Sequence, residues 1–321
     1  MTGSLRTLLA DLVDYAGLYP PATLSMANAV ETYNRARMGE HEFMLGRFIC
    51  PVAKLKDFSK AASPLLPGTH STSGYREQAD AGDPWRLSVI LDPEALSESA
   101  LNAQLDEIDA FNQHHSQEAH GIAEVDMCEV KVADPNDIDS ILDVLPDDIF
   151  PFFEFPVTTD CRGYITALSG AAEDGGAGAK IRTGGTVKNA FPTTSEISAF
   201  LHACAMADVP FKATAGLHHP VRSTHKLTYE PDAQTNIMHG FLNVFVAAAL
   251  VRTKRIDDAT TQAILGCEDA SLFKFSDQVL GWKGYLTETM HVARARETFS
   301  LSFGSCSFDE PVQDLQALKL L

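Results

Sequence analysis

Eight short runs rich in β-branched and aromatic residues alternate with longer segments of helical periodicity, which restricts this chain to repeated βα units around a parallel sheet. The expected strands are Leu12–Leu18, Phe43–Cys50, Trp85–Leu91, Ile122–Val132, Ile149–Val157, Ala179–Thr183, Phe211–Ala215 and Leu272–Ser276. Between them the periodicity predicts helices at Leu24–Met38, Val52–Ala62, Ala100–His115, Asp134–Leu145, Arg162–Ala172 and Thr194–Ala207. Thr193 and Glu196 have capping-box spacing before the last of these. A strongly apolar helix is expected from Ile237 to Val251, either in the core or at a homo-oligomer interface.

Eight βα units in 321 residues fit an α/β fold of the (β/α)8 TIM-barrel type, with residues 1–321 forming one domain. Extended loops are expected after strand two, from Ser63 to Pro84, and after strand seven, from Gly216 to Gln234. A doubly wound open sheet is the alternative, but no GxGxxG follows the first strand.

Composition narrows the function classes. With 25 basic and 43 acidic residues the formal charge is −18, which disfavours nucleic acid and anionic membrane surfaces as partners. A few convergent cations can still reverse the potential locally and bind a small anionic substrate. The six cysteines show no zinc-ligand spacing, so reduced thiols, no metal and no cofactor are expected. No apolar run reaches the roughly 18 residues of a membrane span, and the N-terminal stretch is broken by Asp11 and Asp14, so the expected location is cytoplasmic.

In a barrel, active-site groups lie at the carboxyl ends of the strands and in the loops that follow. Strand alternation puts Lys180 with Arg182, Lys212 with Thr214, Glu129 with Lys131, and Glu154 with Phe152 on shared faces. Charges inside apolar strands are costly to bury unless paired, so these residues form either a structural ion network or the lining of a catalytic pocket. Two lysines on adjacent strands would lower each other's pKa, and a neutral lysine can attack a carbonyl to form a Schiff base. Arg182, Thr183 and the Gly184-Gly185 turn suit a phosphate or carboxylate. His218 is the expected general acid or base, titrating near neutrality, with His219 beside it as a binding group. Arg47, Asp14, Tyr15, Tyr19, Lys274 and Ser276 are candidates to complete the pocket.

Glu124-Val125-Asp126-Met127, Lys180-Ile181-Arg182-Thr183-Gly184 and Lys212-Ala213-Thr214-Ala215-Gly216 resemble strands four, six and seven of deoxyribose-phosphate aldolases, barrels of the class I aldolase group. The resemblance implies a lyase in which Lys180 forms the Schiff base, Lys212 tunes it and Asp126 assists proton transfer. By strand parity Asp126 faces away from Glu129 and Lys131 unless a bulge intervenes. A second reading keeps the pocket without covalent chemistry, with Glu129, Glu154 or His218 moving protons as in an isomerase or transferase. A third is a catalytically inactive barrel that binds a metabolite.

Overall fold

The computed structural model describes every residue except 69–82, 159 and 172–175. Its centre is a closed barrel of eight parallel strands, of the TIM-barrel type, with helices in the connections. The strands are β1 (Val13–Tyr15), β2 (Leu45–Pro51), β3 (Trp85–Ile90), β4 (Ala123–Lys131), β5 (Phe150–Glu154), β6 (Gly178–Arg182), β7 (Phe211–Thr214) and β8 (Ser300–Ser305). They neighbour one another in sequence order, and β8 closes the ring against β1.

Seven of these strands lie where the periodicity predicts them; the eighth does not. Phe273–Phe275 belongs to a separate antiparallel sheet with Val279–Trp282 and Tyr285–Glu288. The true closing strand, Ser300-Leu-Ser-Phe-Gly-Ser305, has serine and glycine where an apolar signature would be expected. Its chemistry follows from its neighbours, because Ser302 stands beside Lys212 and Gly304 beside Thr214. Bulky polar side chains from β7 leave room only for small residues there. Its outward side is conventional, since Phe303 packs on Phe241 and Phe245 with ring centroids 5.4 and 5.9 Å apart.

The long apolar helix runs from Phe241 to Lys254, and every residue from Phe241 to Val251 is buried within this single chain. It is a core element. The residues before it form part of a hairpin, Ser223–Lys226 against Thr235–Met238, within the connection after β7. The expected loop after strand two falls largely on residues 69–82, outside the described residues. The capping box at Thr193 is present, with the Thr193 amide donating to Glu196 Oε2 at 2.7 Å. Among the described residues no helix is long and apolar enough to cross a membrane.

Candidate active site

Barrel register brings the charged residues together. Lys131 lies beside Glu154, Glu154 beside Lys180, Lys180 beside Lys212, and Lys212 beside Ser302. The side chains of Arg182, Glu154, Lys180, Glu129, Lys212 and Asp14 form a continuous chain of alternating charge across the barrel interior. Arg182 Nε donates to Glu154 Oε1 at 2.9 Å, and Lys180 Nζ is 2.6 Å from Glu154 Oε2 and 2.6 Å from Glu129 Oε2. Lys212 Nζ donates to Glu129 Oε1 at 2.6 Å and to Asp14 Oδ2 at 2.7 Å. Ser302 Oγ also donates to Asp14 Oδ2, at 2.6 Å, and Ser88 Oγ donates to Glu129 Oε1 at 2.8 Å. Three cations face three carboxylates, so the buried chain is formally neutral and each desolvated ion has a partner.

This interleaving overturns one expectation. Burial alone would pull the Lys180 ammonium down, but the Glu129 and Glu154 carboxylates more than offset it and hold its pKa above the ordinary lysine value. Lys180 therefore rests as an ammonium rather than as a free amine. Burial would raise the Glu129 carboxyl, yet Lys180 and Lys212 hold it well below the usual carboxylate range. Glu154 is lowered in the same way by Lys180 and Arg182.

A cavity of about 390 Å³ opens at the carboxyl ends of the strands, a size suited to a small metabolite. Glu129, Lys131, Glu154, Lys180, Arg182, Gly185, Thr214 and His218 all line it. Lys180 is 4% exposed at its floor, whereas the Arg182 side chain is 49% exposed at its rim. Apolar side chains from β2, β3 and the hairpin, including Ile49, Ile90, Leu227 and Met238, form much of the remaining wall. Tyr19 also lines it, and its phenol oxygen is buried without a hydrogen-bond partner among the described residues. Burial and the Glu129 carboxylate push the Tyr19 pKa up, so its O–H remains a donor.

Other expected site residues lie elsewhere. Lys212 is fully buried beneath the cavity and reaches it through Glu129. A bulge at Asp126 turns Met127 inward, with its sulfur 3.9 Å from Lys212 Nζ. Asp126 itself accepts two bonds from Arg47, at 2.7 and 2.6 Å, and neither residue lines the cavity. The proton-transfer role expected of Asp126 and the binding role expected of Arg47 therefore have no geometric support; Glu129 occupies the position between the two lysines. Thr183 is buried and spends its hydroxyl on the Ala215 carbonyl at 2.5 Å. Gly184 faces the Gly216 backbone, where an added Cβ would meet Gly216 Cα at 2.9 Å, so its role is close packing between loops rather than an anion cradle. Lys274 and Ser276 lie on the separate antiparallel sheet or its edge, and Lys274 Nζ donates to the Ser271 carbonyl.

The two histidines after β7 dock onto the last helix, Asp309–Ala317. His218 Nδ1 is 2.9 Å from Glu310 Oε2, and His219 Nδ1 is 2.5 Å from Asp314 Oδ2. Burial would lower the His218 pKa, but Cys306 and Glu310 overcome this and push it up to about 10. His218 is thus an imidazolium at neutral pH, not a group that titrates there. His219 lines an adjoining groove with His225 rather than the main cavity.

Sequence reasoning undervalued Asp14, Ser302, Cys306 and Glu310. Asp14 was legible as an acid inside the first strand; Ser302 and Cys306 were hidden with the closing strand. Among the described residues no group of three or more His, Cys, Asp or Glu is placed to hold a metal ion. A separate depression of about 460 Å³ is lined by Asp139, Asp143 and Asp147 with no basic side chain among its described residues, which disfavours an anion there. Neither protein-family models nor curated proteins give a match to this chain.

Proposed function

We propose that this chain is an aldolase-like lyase acting on a small carbonyl metabolite that carries a carboxylate or phosphate, through a Schiff base on Lys180. The observation that carries this reading is an amine on the cavity floor held 2.6 Å from each of two carboxylates, with a guanidinium beside them at the rim. Arg182 would hold the substrate anion through charge-assisted hydrogen bonds. Glu154 or Glu129 would take the ammonium proton as the carbonyl arrives, leaving the neutral amine to attack. The same acid would return a proton to the carbinolamine oxygen as water leaves. Tyr19 supplies a free O–H donor for the substrate oxygen. Lys212, sealed below, keeps Glu129 ionised and positioned.

The raised pKa of Lys180 favours a second reading, in which it stays an ammonium that stabilises an enolate-like charge while Glu129 or Glu154 shuttles the proton. This would be an isomerase or transferase. Assaying a panel of hydroxy-ketones, aldols and 2-keto acids for carbon–carbon cleavage and for deuterium exchange from heavy water separates the two. On the Schiff-base reading Lys180→Arg lowers both activities by roughly 10³-fold or more, because the guanidinium cannot form an imine. Exchange that survives Lys180→Arg within about tenfold supports the second reading.

A further inference from the structure

Cys306 follows β8 directly and lines the cavity together with Lys180 and Arg182. Its sulfur lies 4.0 Å from His218 Nε2, and the opposite ring nitrogen, Nδ1, is 2.9 Å from Glu310 Oε2. The Tyr229 hydroxyl is a second polar neighbour, 3.7 Å from the sulfur. Three elements converge to make this arrangement: the strand-eight loop brings the thiol, the strand-seven loop the imidazole, and the last helix the carboxylate. It has the parts of an activated nucleophile, in which a base faces the thiol and a third group orients the base. The other five cysteines differ. All six are buried, but none of these five lines the cavity, and burial pushes the thiols of Cys50, Cys128, Cys161 and Cys204 up.

We propose that Cys306, with His218 and Glu310, is a second nucleophilic centre of the cavity, one that captures small aldehydes as hemithioacetals independently of Lys180. In the reactive ion pair the thiol proton already resides on His218, whose imidazolium is stabilised by Glu310. The thiolate sulfur then bonds to the carbonyl carbon as the C=O π pair moves to oxygen, and the imidazolium returns the proton to that oxygen. Atoms and charge balance without an oxidant, and the addition is reversible. The raised pKa of His218 accords with an imidazolium facing a sulfur. An aldehyde with a short apolar chain also suits the apolar wall of Ile49, Ile90, Leu227 and Met238 in the same cavity.

The test is alkylation of the native protein by iodoacetamide at pH 7, followed by peptide mapping. The expected result is modification of Cys306 at least tenfold faster than of any other cysteine, slowed at least tenfold by His218→Ala and severalfold by the near-isosteric Glu310→Gln. Cys306 that reacts no faster than the other five thiols, or at a rate indifferent to both variants while each stays folded by circular dichroism, overturns the proposal. In a second arm propanal is added first. Protection of Cys306 that persists in Lys180→Met supports the hemithioacetal; protection that disappears in Lys180→Met assigns the aldehyde to Lys180 and overturns it.

Discussion

Lys212 shows most plainly how a single residue links stability to the site. Its ammonium is wholly buried and is shared between Asp14 and Glu129, so removing it leaves the buried Asp14 carboxylate without its cation and Glu129 with Lys180 alone. Lys212→Met should cost about 3–5 kcal/mol, the usual range for breaking a buried pair from one side, measured by urea unfolding. Glu129 carries the pH dependence of the same network. Its folded pKa is depressed, so its contribution is present above the ordinary value of 4.5 and is lost as pH falls toward the folded value. Unfolding free energy should therefore drop below about pH 4.5, and the drop should be shallower in Glu129→Gln; an unchanged acid slope would show that Glu129 is not held ionised.

At the level of elements, the strands that carry charge were the legible ones. Lys180, Arg182, Lys212, Glu129 and Glu154 stand out because an ion inside an apolar run must be explained, and alternation fixes which of them share a face. The closing strand was not legible, since its residues are chosen for the space left by Lys212 and Thr214 rather than for apolar burial. Asp126 misled because its role rested on the resemblance alone; strand parity already set it apart from Glu129 unless a bulge intervened, and with the register shift there it pairs with Arg47 outside the cavity. Only the end of the hairpin, Ile237 and Met238, was read as helix, because both continue the hydrophobic run that follows, although Met238 lines the cavity. Gly304 tests this view of β8, because an added Cβ would come within 3.0 Å of Ile49 Cδ1 and 3.3 Å of Thr214 Oγ1 at the cavity wall. Gly304→Val should weaken binding of any cavity ligand at least tenfold, read by calorimetry, and lower the melting temperature by several degrees.

For the whole molecule, the barrel gathers five strands of one strongly acidic chain so that three cations and three carboxylates neutralise each other inside it. Helices and the antiparallel sheet lie outside that ring, and the loops after β7 and β8 bring His218 and Cys306 over the opening. The site is thus a product of closure: its row of charges exists only once β8 joins β1 to β7. Two amines line the cavity, Lys180 at the floor and Lys131 at the mouth, so the covalent proposal reduces to which of them a carbonyl reaches. Borohydride reduction in the presence of a panel of small aldehydes and keto acids, followed by mass mapping of the adduct, decides it. A reduced adduct on Lys180, lost in Lys180→Arg, is the predicted result; no adduct on Lys180 with any member of the panel, or adducts confined to Lys131 and surface lysines, would contradict it.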